Sequence, residues 1–200
     1  MITNGLHNGL HDVPAGKVAM VVTHLEMRAP QLRDATLPDG LEFHRFEPDI
    51  DSYRDLIRRV GQDWLWYARL TMPDAELQAI LDSDPVEIFT LLKNGIPEAV
   101  LELDWRKDRA CELAFFGLTS KLIGTGAGAY LMDRAVDHAF EKDIDRFHLH
   151  TCTLDSPQAL SFYRRSGFQV TRQEIEIDDD PRLSGVLPEI AAPHVPIIRA

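Results

Sequence analysis

Residues 112–132 read ELAFFGLTSKLIGTGAGAYLM: a carboxylate, an apolar run, and then three alternating glycines, Gly124, Gly126 and Gly128. Glycine where a strand passes into a helix lets the backbone approach a ligand closely. The unpaired N–H groups of a helix start then favour an anion, most often a phosphate. This spacing suggests a phosphate-bearing ligand held on the glycines, with Glu112 as the polar group on the preceding strand.

Those residues need a strand, a loop and a helix to position them. Residues 18–28 are β-branched enough for a strand, and residues 41–47 for a second. A helix is expected over 51–60, and the aromatic stretch 63–70 is either a short helix or a loop. Pro73 and Asp74 open a further helix with the stripe Leu77, Ile80 and Leu81. Strands at 86–92, 98–105 and 110–118 are joined by Asn94-Gly95 and by residues 106–109, which makes an antiparallel meander. The helix at 126–141 carries the rows Leu131, Ala135, Ala139 and Met132, Val136, Phe140 on one buried face. Strand 146–152 must then return beside the strand before that helix in a right-handed crossover. Ser156 and Pro157 start a last helix that Gly167 ends, and strand 168–177 closes the sheet. The fold class is α+β, a mixed and mostly antiparallel central sheet flanked by helices.

The chain has 200 residues, 44% of them hydrophobic, enough for one domain with extensions. Residues 1–16 repeat NGLH and are expected to be flexible, 17–177 form the domain, and 178–200 form a proline-rich arm. The arm still holds Val186, Leu187, Ile190, Val195, Ile197 and Ile198, so it should pack on its own domain or on a partner subunit, and a homodimer is possible. The formal charge of −11 argues against nucleic acid and suits a cationic or amine-bearing substrate. Two cysteines inside strands, no secretory signal and no membrane-length apolar run point to the cytoplasm, with no membrane partner.

Other constellations compete. Gly124-x-Gly126-x-x-Ala129 satisfies a dinucleotide fingerprint, but a loop separates it from its strand and no acidic residue ends the next strand. A P-loop is excluded because no Gly-Lys-Ser/Thr follows. His148, His150 and Cys152 share one face of a strand, yet three such residues without a fourth are weak evidence for a metal, and none is expected. Asp63, Trp64, Trp66 and Tyr67 either grip a cationic or aromatic substrate or plug the core.

The order of elements, with ELAFFGLTS, IGTGAGAYLM and DSPQALSFYRRSGF, resembles the GCN5-related N-acetyltransferase (GNAT) superfamily, in plan over residues 41–177 and in motif over 110–168. The resemblance implies acetyl-CoA as co-substrate. Its pyrophosphate motif, Gln/Arg-x-x-Gly-x-Gly/Ala, is matched here with Ile123 in the leading place and Gly126 and Gly128 as the glycines. The amides of Ile123, Gly124, Thr125, Gly126, Ala127, Gly128 and Ala129 are then the phosphate donors. Leu118 and Thr119 match the strand end that pairs with the pantetheine arm, beside a bulge. The asparagine that the family usually has before the last helix is missing, with Asp155-Ser156 in its place, and Ser156 is the candidate beside the cofactor arm.

The same resemblance makes Glu112 the general base and Tyr163 the general acid that protonates the leaving thiolate. A partly desolvated carboxylate can take the proton that an amine must lose before it attacks. Glu102 and Asp104, on the same face of the neighbouring strand, are reserve candidates. The expected function is direct acetyl transfer from acetyl-CoA to an amine on a small molecule or peptide; the alternative is a non-catalytic acyl-CoA-binding or interaction module of the same fold. The family normally closes the sheet with two C-terminal strands, but only one is evident, so residues 18–28 or the arm must fill the missing place.

Overall fold

Buried and open positions alternate along Lys17–Met27, which forms strand β1 in a computed structural model describing residues 7–199. The first six residues of the N-terminal segment lie outside that range; residues 7–14 are exposed, and Gly16 donates its amide to the Ile198 carbonyl at 2.7 Å. The chain continues through β2 (Leu41–Arg45), α1 (Ile50–Gly61), a 3-10 turn (Gln62–Trp64), α2 (Ala68–Thr71) and α3 (Asp74–Leu81). It then runs through β3 (Val86–Lys93), the two-residue β4 (Ile96–Pro97), β5 (Ala99–Asp104) and β6 (Ala110–Leu118). Helix α4 (Ala127–Glu141), β7 (Arg146–Cys152), α5 (Ala159–Arg165) and β8 (Gln169–Asp179) complete it. Asn94 and Gly95 both have positive φ, 53° and 76°, as a tight hairpin between right-twisted strands requires.

The sheet runs in the order β2-β3-β5-β6-β7-β1-β8, with β4 beside β3. Strands β6 and β7 are parallel, and every other recorded pairing is antiparallel. Strand β1 fills the vacant place between β7 and β8, antiparallel to both. Periodicity along the chain shows that residues 17–27 form a strand, but it cannot say which edge that strand joins.

One face of the sheet packs against α4, burying Leu101, Leu103, Cys111 and Leu113 against Leu131, Ala135 and Val136. The other face is covered in two parts. Helices α1 and α3 sit over Ile88 and Val100, and the arm lays Leu187, Ala191, Ala192 and Val195 over Val18, Met20 and Val22. Arg182, 3% exposed, holds the arm closed. Its Nε and Nη2 donate to the Asp180 carboxylate at 2.9 and 2.7 Å, and its Nη1 donates to the carbonyls of Ala191, Ala192 and Val195 at 3.2, 3.2 and 2.9 Å. The last helix starts later than expected: Gln158, not Ser156, occupies the N-cap of α5.

Candidate active site

The parallel ladder between β6 and β7 lasts for only three pairs, Ala110 with Arg146, Cys111 with Phe147 and Glu112 with His148. Just beyond it, β6 bulges against β5. Leu113 pairs with Leu103 and Phe115 with Glu102, which leaves Ala114 without a partner. A bulge bends its strand and re-aims the side chains that follow. Past the end of the ladder lies a cavity of about 290 Å³. Phe116, Gly117 and Leu118 of β6 form one wall, Phe162 and Tyr163 of α5 another, and Trp64 and Trp66 approach from the opposite side of the sheet.

The glycine loop forms the polar rim of this cavity, through Ile123, Gly124, Gly126, Gly128 and Ala129. Gly124 and Gly126 have φ of +81° and +90°, a conformation open to glycine at little cost, and Gly126 is the N-cap of α4. Gly128 is an ordinary helical residue, where a Cβ would meet Leu118 at 3.5 Å. Gly124 and Gly126 are thus the turning glycines, and Lys121 stands three residues before the first of them. Lys121 Nζ is paired with Glu98 at 2.5 Å, and Ile123 is exposed at the cavity rim.

The expected row of amides is also narrower. Thr125 and Ala129 donate to the carbonyls of Leu122 and Gly126 at 3.3 and 3.0 Å, and Ala127 leans on the Thr125 hydroxyl at 3.4 Å. The N–H groups of Ile123, Gly124, Gly126 and Gly128 have no acceptor among the described residues. Thr125 and Ala127 do not line the cavity. Thr119 is tied to the end of the strand. Its amide donates to the Glu98 carbonyl at 2.9 Å and its hydroxyl to the Glu98 carboxylate at 2.7 Å, so it closes the strand end instead of facing a ligand. Leu118 and Ser156 do line the cavity.

Tyr163 lies in the same cavity, with its ring against Phe116 and Phe168 at 6.2 Å. Burial, and secondarily the Asp155 charge, push its phenol well above the usual tyrosine range, so it stays protonated. Glu112 lies elsewhere. It occupies the last paired position of the β6–β7 ladder and shares a sheet face with its cross-strand neighbours Asp104 and His148, outside the cavity lining. Lys107 Nζ stands 3.6 Å from its carboxylate and His150 Nδ1 3.9 Å away.

The reserve carboxylates are already engaged. Glu102 is fully buried and accepts from Tyr53 Oη and from Arg69 Nη2. For Asp104, burial pushes the carboxyl up, but the hydrogen bonds from Arg106 outweigh it and hold the group below the usual carboxylate range. Glu112 accepts no hydrogen bond among the described residues, which leaves it the least committed carboxylate on that face.

Asp155 was missed as a site residue. It lines the cavity and accepts from Trp66 Nε1 at 3.0 Å, Thr151 Oγ1 at 2.6 Å and the Cys152 amide at 2.9 Å. The sequence signal was an acidic residue just before the last helix, where the resemblance leads one to expect asparagine. Of the aromatic stretch, Trp64 and Trp66 line the cavity, whereas the Tyr67 hydroxyl donates to Asp178 and pins the segment to β8. Among the described residues, no group of three or more His, Cys, Asp or Glu is placed to hold a metal ion.

The acetyltransferase (GNAT) family model matches residues 52–168. No curated protein matches the chain. Among solved structures, a GCN5-related N-acetyltransferase from Sphaerobacter thermophilus superposes with a TM-score of 0.61 at 14% identity, covering 86% of this chain and 54% of that one. A second, from Kribbella flavida, gives 0.56 at 18% identity, covering 85% and 63%. Both are longer proteins, and this chain spans less than two thirds of either. A GNAT family acetyltransferase from Elizabethkingia anophelis with acetyl-CoA bound gives 0.51 at 16% identity, covering 67% and 79%. These likenesses show the fold, and the family match extends over more than half of the sequence: the chain belongs to the acetyltransferase (GNAT) family.

Proposed function

We propose that the protein is an acetyl-CoA-dependent N-acetyltransferase that transfers acetyl directly to an amine. The observation that carries this reading is the glycine loop: two left-handed glycines and four amides without acceptors sit at the mouth of a cavity that also holds a protonated phenol. A pyrophosphate fits those amides and the start of α4. Acetyl-CoA, when bound, supplies the activated acyl group as a thioester. Ile123, Gly124, Gly126 and Gly128 would hold its phosphates, and Leu118 and Ser156 would flank its arm.

Tyr163 keeps a proton at its hydroxyl for the leaving thiolate, because burial disfavours the phenolate. Glu112 receives the proton of the incoming amine. Phe116 lies four strand steps further along, about 13 Å at the strand rise, so water must carry that proton. Holding both substrates together supplies the rest of the rate enhancement, and no acyl-enzyme is needed. The two free thiols, Cys111 buried and Cys152 half-buried, support a cytoplasmic location within the same reading.

The position of Glu112 outside the cavity favours the second reading, a non-catalytic acyl-CoA-binding module. Calorimetry with acetyl-CoA followed by an amine panel separates the two. Turnover is expected, with Tyr163→Phe and Glu112→Gln each lowering kcat by about 100-fold or more while the Kd for acetyl-CoA is unchanged. Binding without turnover on any amine selects the module. Full activity in Glu112→Gln removes Glu112 as the base.

A further inference from the structure

Three irregular features of the chain converge on the indole of Trp66. Gly61, at the end of α1, leaves no space for a side chain: a Cβ there would lie 2.5 Å from the Trp66 Cβ and 2.6 Å from its ring. On β6, a Cβ at Gly117 would lie 2.5 Å from Val60 and 2.9 Å from the tip of the same ring. Between them Leu65 takes φ 54°, a left-handed conformation unfavourable for a residue with a Cβ. That turn sends Trp66 back over the sheet, with its amide bonded to the Gly61 carbonyl at 3.0 Å. The indole stands edge-on to Phe115 at 5.5 Å and donates Nε1 to Asp155 at 3.0 Å. It therefore bridges β6 and the loop after β7, across the interval where those strands have stopped pairing.

The cavity is polar at its glycine end and aromatic where Val60, Trp64, Trp66, Phe116 and Tyr163 meet. A cofactor with its pyrophosphate on the loop amides would run along Leu118 and Gly117, and its acyl group would arrive at the indole. We infer that Trp66, seated by Gly61 and Gly117 and latched by Asp155, is the residue that limits acyl-chain length, closing the aromatic end of the cavity. This rests on the acyl-CoA reading above. The cavity measures about 290 Å³, at the lower end of the range for ligand pockets. Single methylenes in such pockets discriminate by about 10-fold or more.

The test is binding without acceptor: the Kd of acetyl-CoA and of hexanoyl-CoA, measured by calorimetry on wild type, Trp66→Ala and Trp66→Leu. Wild type is expected to prefer acetyl-CoA. Both variants should shift the ratio toward hexanoyl-CoA, Trp66→Ala by about 10-fold or more and Trp66→Leu by less. Trp66→Leu keeps an apolar plug, so it decides the matter if the alanine variant does not fold. An unchanged ratio in the folded variants, or a wild type that binds hexanoyl-CoA as tightly as acetyl-CoA, overturns the inference. If wild type binds neither ligand, the acyl-CoA reading falls as well, an outcome distinct from a wrong wall.

Discussion

Gly126 and Gly128 lie two residues apart, and alanine at each should move the protein in opposite directions. At Gly126 there is space for a methyl group, since the nearest atom to a built Cβ is Pro38 Cγ at 4.0 Å. The cost is therefore in the backbone alone: φ of +90° forces an L-residue into the left-handed region, at about 1–2 kcal/mol. At 2–4 °C per kcal/mol for a chain of this size, the melting temperature of Gly126→Ala should fall by about 2–8 °C. Gly128 is helical, and alanine there recovers about 0.5–1 kcal/mol of backbone entropy, a rise of about 1–4 °C. Its new methyl group would stand 3.5 Å from Leu118 and 3.9 Å from Phe162, on the cavity wall. Gly128→Ala should thus be the more stable protein without ligand and the one that gains less from acetyl-CoA. Thermal unfolding with and without acetyl-CoA reads both effects. If Gly128→Ala destabilises the protein as Gly126→Ala does, or if Gly126→Ala is neutral, the placement of the turning glycines at 124 and 126 is wrong.

Removing the guanidinium in Arg182→Ala would leave the Asp180 carboxylate and three carbonyls buried without their donor, at a cost of about 3–5 kcal/mol. A urea midpoint shift equivalent to under about 1 kcal/mol would refute that role, and Asp180→Ala combined with Arg182→Ala should recover part of the loss. The Arg182 hydrogen bond holds the Asp180 carboxyl below its ordinary range. Its contribution to stability is therefore present above the unfolded value of about 3.9 and is lost as pH falls through the lower folded value, so the acid limb of stability against pH should flatten in Arg182→Ala. Burial pushes the Cys152 thiol up to about 11 and Cys111 higher still, so both should resist Ellman's reagent at pH 7 until the protein is denatured.

The strands, α4 and the glycine loop were legible in the sequence because each leaves a local pattern. Alternation marks a strand, a 3.6-residue stripe marks a helix, and glycine marks a turn. Which of the three glycines turn the backbone was not legible. Gly124, Gly126 and Gly128 are chemically identical, and only the backbone shows that two are left-handed while the third is helical. Segment 62–71 was ambiguous for a related reason. Its short helical pieces on either side of a left-handed Leu65 have no period of their own, and tertiary packing of the indole against Gly61 and Gly117 holds them in place.

By itself the sequence determined the order of elements and the kinds of group available to the site, since these follow from residue type and short-range spacing; the family was legible only through the resemblance of its motifs to known members. The tertiary structure alone decided that β1 rather than the arm enters the sheet between β7 and β8, because edge pairing joins residues far apart in the chain. It also separated Glu112 from the cavity and brought Asp155 and Trp66 into it. Which carboxylate faces a ligand depends on where a parallel ladder ends and a strand bulges, and both are relations between strands that no single strand encodes.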